Sequence, residues 1–122
     1  MFNKPTNSSF PKARRLNEPA AFRWVFEKPL KLQGQAVSFF VRPNQLGCPR
    51  LGLAVTKKHI RKAVNRNRLR RQIRESFRLA LPKLPGVDVV VFVKKGAEQF
   101  NRRVLQEELL QKWLTLRNFQ PE

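Results

Sequence analysis

Residues 50–81 read RLGLAVTKKHIRKAVNRNRLRRQIRESFRLAL, and the repeat of their apolar positions changes midway. RLGLAVTKK, 50–58, alternates with period two and predicts a strand carrying Leu51, Leu53 and Val55 on one face. From about Lys62 to Leu81 the spacing is helical, and Pro82 ends it. At about 100° per residue, Leu69, Ile73, Ser76, Phe77 and Ala80 gather into one core-facing stripe. Asn67, Arg68, Arg70, Arg71, Arg74 and Arg78 occupy the arc beside and behind it. Arg66 is the exception: it points along the apolar stripe one turn early and should extend past the edge of the core. A strand leading into such a helix predicts a sheet with helices packed on it.

The charge of this segment is its second property. Ten cations lie between Lys57 and Arg78, opposed by Glu75 alone. A solvated charged face is the ordinary explanation for a basic helix. Such faces usually mix acidic and basic residues at i,i+4, whereas the like charges of Arg66, Arg70 and Arg74 at that spacing destabilise a helix. Arginine also predominates over lysine, and its planar fork suits phosphate oxygens and base edges. These features favour a polyanionic partner. The whole chain agrees: 122 residues carry 26 Lys plus Arg against 8 Asp plus Glu, a formal charge of +18. That field is self-repelling unless a large polyanion lies beside it.

Other classes are disfavoured. No stretch approaches the ~18 consecutive apolar residues of a spanning helix. The start, MFNKPTNSSFPKARR, lacks the apolar core of a secretory signal, so a cytoplasmic location is expected. Cys48 is the only cysteine, which excludes an intrachain disulfide and a multi-cysteine zinc site. His59, the only histidine, sits in KKHIRK, where neighbouring cations disfavour the protonated form a general base must reach. The expected sets of catalytic and metal-binding residues are therefore empty.

Outside the central stretch, residues 1–16 read as a flexible basic segment and 17–118 as a single α/β domain. Asn17 reads as an N-cap, with Glu18 and Pro19 in the first turn of a helix that stops before Pro29. That helix has one stripe of Ala21, Trp24 and Val25 and an adjacent pair, Phe22 and Phe26. AVSFFVR, 36–42, predicts a strand with Val37, Phe39 and Val41 on one face and Ser38, Phe40 and Arg42 on the other. VDVVVFVKK, 87–95, predicts a strand buried on one face or both. A final helix, about Asn101 to Leu116, aligns Leu105, Leu109, Trp113 and Leu116. The order is α-β-β-α-β-α, with room for a further strand at 30–35. A recognition helix in a DNA groove stays open at this level. RNA is favoured by the α/β setting and by Phe22, Phe26 and Phe40, on which unpaired bases could stack if these rings are not core.

The motif R-N-R-x-[KR]-R-x-x-R-E at 66–75, preceded by a strand ending in KK, resembles the bacterial ribonuclease P protein subunit family. RLGLAVTKK, AAFRWVF, PGVDVVVFVKKG and the Leu-rich last helix are similar to further family patterns, over about residues 10–118. The resemblance implies an α+β two-layer sandwich like the second domain of ribosomal small-subunit protein five. Its sheet is mostly antiparallel, with a left-handed βαβ crossover where the default is right-handed. It implies a protein cofactor of an endoribonuclease, with the catalytic centre and most magnesium held by the RNA subunit. The partners implied are ribonuclease P RNA and precursor tRNA, not DNA or membrane, in a one-protein, one-RNA complex that removes the 5′ leader. Lys57, Lys58, Arg66, Asn67, Arg68, Arg70, Arg71 and Arg74 fall on the family's RNA-binding motif and the strand end beside it. Phe22, Phe26, Ser38, Phe40 and Arg42 fall on its leader-binding cleft. The family's short glycine-containing connection is replaced here by KKHIRKAV, so no role carries over to His59–Lys62.

Overall fold

The β-branched run VDVVVFV forms the interior of a four-stranded sheet, as a strand with so few polar side chains must. The computed structural model describes Leu16 and residues 19–118. In chain order the elements are α1 (Pro19–Glu27), β1 (Leu30–Gln33), β2 (Val37–Pro43), β3 (Arg50–Ala54), α2 (Ala63–Ala80), β4 (Val87–Val93) and α3 (Arg102–Arg117). The further strand expected at 30–35 is β1. The flexible segment 1–16 and the Asn17 cap lie outside the described residues, apart from Leu16. Its N–H donates to Leu51 O at 2.8 Å, on the open edge of β3.

The strand order is β1-β2-β4-β3. β1/β2 and β2/β4 are antiparallel, whereas β3/β4 is parallel. The β3–α2–β4 unit is thus the crossover carrying the arginine helix. On one face of the sheet, Val37, Phe39, Val41, Leu51, Val89 and Val91 meet Leu69, Ile73 and Phe77 of α2 and Leu105, Leu109, Trp113 and Leu116 of α3, all buried. The indole of Trp113 lies 4.6 Å from the Phe39 ring and 5.4 Å from that of Phe77. Its Nε1–H donates to Ser76 Oγ at 2.7 Å, which explains a serine in the apolar stripe of α2. Among the described residues, the other face carries α1 and Leu16, with Leu16, Val25 and Val90 at the centre of a smaller cluster. The fold is α+β, with α2 and α3 forming the main helical layer.

β3 ends at Ala54, four residues short of the expected Lys58. The Ile60 N–H turns back to Thr56 O at 2.9 Å, and the His59 N–H to Thr56 Oγ1 at 3.3 Å. This turn swings Ile60 fully into the core and leaves Lys57 and Lys58 exposed on its outside. α2 ends at Ala80, where a 3₁₀ turn over Leu81–Lys83 accommodates the missing N–H of Pro82.

Two polar locks join distant parts of the chain. Asp88 is 0 % exposed on β4 and accepts from Arg50 Nε at 2.8 Å and Nη2 at 2.6 Å. Asn44 Nδ2 adds a third bond to it at 2.8 Å. The bonds to Asp88 raise the Arg50 pKa further above its ordinary value. Glu108 of α3 accepts three backbone N–H groups of the β1–β2 turn, from Gln35, Ala36 and Val37, at 3.0, 2.9 and 2.9 Å.

Candidate nucleic-acid interface

With Leu69, Ile73 and Phe77 buried, the rest of α2 divides into three strips. On the β3 side, Arg66 Nη1 donates to Ile60 O at 3.0 Å and Arg61 O at 2.9 Å. Arg70 Nη2 reaches Val55 O at 3.4 Å, and its Nη1 reaches Asn67 Oδ1 at 3.3 Å. Arg66 therefore folds back as a strut for the 56–62 connection, and does not project past the core as its angle alone suggests. Its carbonyl partners are neutral, so the guanidinium charge remains uncompensated. The outward strip holds Asn67 and Arg71, both exposed, with Arg74 and Arg78 half-buried. Arg78 pairs with Glu75, which raises the Arg78 pKa and lowers that of Glu75. On the α3 side, Arg68 Nη2 donates to Glu98 O at 3.3 Å and Gln72 Nε2 to Arg102 O at 2.9 Å. The helix thus presents cations in each of its three unburied strips.

The α1 face is built by register. Phe40, Val90 and Gly52 form one row across β2, β4 and β3, and α1 lies along that row. Phe26 meets Phe40 edge-on at 4.8 Å, and Val25 packs on Val90. Phe22 covers Gly52 so closely that a Cβ there would lie 2.9 Å from its ring. Phe26 is 41 % exposed, and Lys31 Nζ sits 5.4 Å from the Phe40 ring centre. Together they form an aromatic ledge with a cation beside it. The next row is Gln33, Ser38, Phe92 and Ala54. His59 approaches Phe92 edge-on at 5.4 Å, which brings the Lys57–Lys58 turn to the end of this row.

Two expected residues of this face are already engaged. Ser38 is 3 % exposed, and its hydroxyl bonds Gln33 Oε1 at 3.3 Å. The Arg42 guanidinium stacks 4.0 Å from the Trp24 ring centre. It also donates to Trp24 O at 2.6 Å and lies 3.5 Å from Glu27 Oε1. Arg42 thereby ties the C-terminal end of α1 to β2, and it caps the Trp24 carbonyl in the last turn of the helix. Conversely, Lys31 and Phe92 were not among the expected residues. Period two alone puts Phe92 opposite Val91, but only strand order shows which neighbours share its row.

The two surfaces lie on opposite faces of the sheet and meet at the C-terminal end of β3, through the 56–62 connection. Among the described residues no group of three or more His, Cys, Asp or Glu side chains could hold a metal ion. No helix among them is long and apolar enough to cross a membrane.

Residues 10–117 match the family model described as Ribonuclease P. The chain is 45 % identical over 105 residues to the ribonuclease P protein component of Edwardsiella ictaluri, covering 86 % of this chain and 88 % of that one. It is also 45 % identical over 107 residues to that of Methylococcus capsulatus, covering 88 % and 84 %. The RNase P protein of Staphylococcus aureus superposes with a TM-score of 0.79 at 26 % identity, over 88 % of this chain and 100 % of that one. The Thermotoga maritima protein does so with a TM-score of 0.73 at 30 % identity, over 87 % and 97 %. On these matches the chain belongs to the ribonuclease P protein family, the protein component of the ribonucleoprotein endoribonuclease that forms tRNA 5′ ends with a catalytic RNA.

Proposed function

We propose that the two surfaces divide the work of the holoenzyme. The outer side of α2, with Lys57 and Lys58, docks on phosphates of the catalytic RNA. The aromatic ledge of Phe22, Phe26 and Phe40 holds the single-stranded 5′ leader of precursor tRNA. One observation carries this reading: α2 buries Leu69, Ile73 and Phe77, while its six arginines, Arg68 and Arg71 exposed and the others partly so, have Glu75 as the one acidic residue on the helix. A surface of that kind repels itself when alone and is stabilised beside a polyanion.

The mechanism is positioning and electrostatics. Cations on α2 offset phosphate repulsion as two RNAs approach, so less magnesium is needed on the RNA. Neutral carbonyl partners orient Arg66 and Arg70 without cancelling their charge. On the opposite face, unpaired leader bases stack on Phe26, which is 41 % exposed, and Lys31 meets a leader phosphate. Arg42 acts there as the strut of α1, and Ser38 as part of the floor beneath it. The protein binds as a monomer, one copy per RNA.

The test is leader cleavage by the catalytic RNA at low magnesium, with and without the purified protein. The protein should raise the rate; no gain would reject the docking role. Phe26→Ala should weaken binding of precursor tRNA by about five- to tenfold and leave mature tRNA unaffected. Equal losses for the two tRNAs would return Phe26 to a packing role.

A further inference from the structure

A groove of about 530 Å³ runs between α2 and α3, on the side of α2 away from β3. Its walls include Leu79, 66 % exposed on α2, and Leu110, 53 % exposed on α3, with Trp113 at the base. Arg68, Arg71 and Arg102 line it as well. The volume falls within the ~300–1,000 Å³ typical of small-molecule sites. The Gln72–Arg102 and Arg68–Glu98 bonds cross-link α2 to the chain entering α3 and fix the width of the groove.

We propose that this groove receives one unpaired nucleotide of the catalytic RNA, with its base between Leu79 and Leu110 and its phosphates on Arg68, Arg71 and Arg102. The inference rests on the reading that α2 docks on that RNA, and it extends the contact from the arginine strips onto α3. Three features select this occupant. Arg68 and Arg71 are continuous with the cationic side of α2, so RNA lying on that helix reaches the groove without a second docking event. Two solvent-facing leucines opposite each other gain nothing from phosphate and gain by covering the face of a base. A paired base keeps its faces within the stack, so the base must be unpaired. The one carboxylate in the wall, Glu75, is already paired with Arg78 and does not repel the phosphates strongly. An acidic amphipathic peptide is the rival occupant, and it lacks this continuity.

The test measures affinity for the catalytic RNA as a function of salt. Leu79→Ser and Leu110→Ser change solvent-facing positions and should melt like the parent. Each should weaken binding by about fivefold without changing the salt slope, while Arg102→Gln should reduce the magnitude of the slope by about 0.7. Arg70→Gln, on the opposite flank of α2, is the reference. If Arg70→Gln weakens binding and both leucine variants bind like the parent, the groove proposal fails and the docking role stands. If none of the four substitutions weakens binding, both fail. An acidic peptide that depends on Leu79 and Leu110, with RNA binding unchanged, also overturns the proposal. A second measurement requires no leucine variant. Trp24→Phe leaves Trp113 as the sole tryptophan, and a short oligoadenylate should shift its emission where inorganic tripolyphosphate does not. Identical responses to the two probes would overturn base insertion.

Discussion

Replacing Glu108 with alanine tests whether one carboxylate holds the β1–β2 turn against α3. Its Oε2 accepts from Ala36 and Val37, whose backbone is buried, and Oε1 accepts from the exposed Gln35. Glu108→Ala leaves the Gln35 N–H free to find water but orphans the other two. At about 1–3 kcal/mol for each of the two stranded donors, the loss is about 2–6 kcal/mol. Released side-chain freedom returns up to about 1.5–2 kcal/mol. The net expectation is a destabilisation of about 2–3 kcal/mol. Glu108→Gln separates charge from shape: its single oxygen can serve Ala36 and Val37, while its NH₂ faces the Gln35 N–H. Because Gln35 can rotate into solvent, the cost should be about half that of alanine. The assay is equilibrium urea unfolding, reading a shift in midpoint at constant slope. Hydrogen exchange at the Ala36 and Val37 amides supplies the local readout, and both should lose protection. If alanine costs under about 0.5 kcal/mol, or glutamine costs as much as alanine, the carboxylate is not the clamp described.

Three further perturbations probe other parts of the argument. Arg50→Ala strands the fully buried Asp88 carboxylate and should cost about 3–5 kcal/mol; Asp88→Asn leaves a guanidinium that is 30 % exposed and can hydrate, so it should cost less, and the reverse order in urea unfolding would refute this asymmetry. Gly52→Ala places a methyl 2.9 Å from the Phe22 ring and 3.0 Å from Leu16 Cβ. It should destabilise by about 1–3 kcal/mol and weaken leader binding, whereas wild-type affinity for precursor tRNA would show that the seat of Phe22 is unimportant. Glu75→Gln removes the only acid among the α2 cations and frees Arg78, so RNA affinity should rise by about two- to fivefold at low salt and converge on the parent at high salt. In the parent, the Glu75 pKa is lowered by Arg78, so its carboxylate stays charged until the pH falls below the usual carboxylate range. The difference between the two proteins should therefore vanish only in acid, and a gap that persists there would exclude charge as its cause.

The sequence alone determined the identity and register of the long elements. Leu69, Ile73 and Phe77 on α2, and Leu105, Leu109, Trp113 and Leu116 on α3, follow from periodicity, because one element needs one continuous apolar stripe. The cationic side of α2 follows by subtraction, and the net charge is a sum that folding does not alter. Only the tertiary structure decided which polar residues were free to act. Periodicity does not reveal that Arg42 stacks 4.0 Å from the Trp24 ring or that Ser38 is 3 % exposed. Arg66 is drawn into bracing the 56–62 connection by two carbonyls that no periodicity reveals. Glu108 reads as one more acid on the polar side of α3, yet its partners lie 71–73 positions away. Arg50 and Asp88 begin separate strands and meet because β3 and β4 run parallel in register. Apolar side chains answer to a non-directional force, so their pattern along the chain is enough to place them. A hydrogen bond or ion pair needs a partner at one distance and angle, and strand order and helix docking supply that partner.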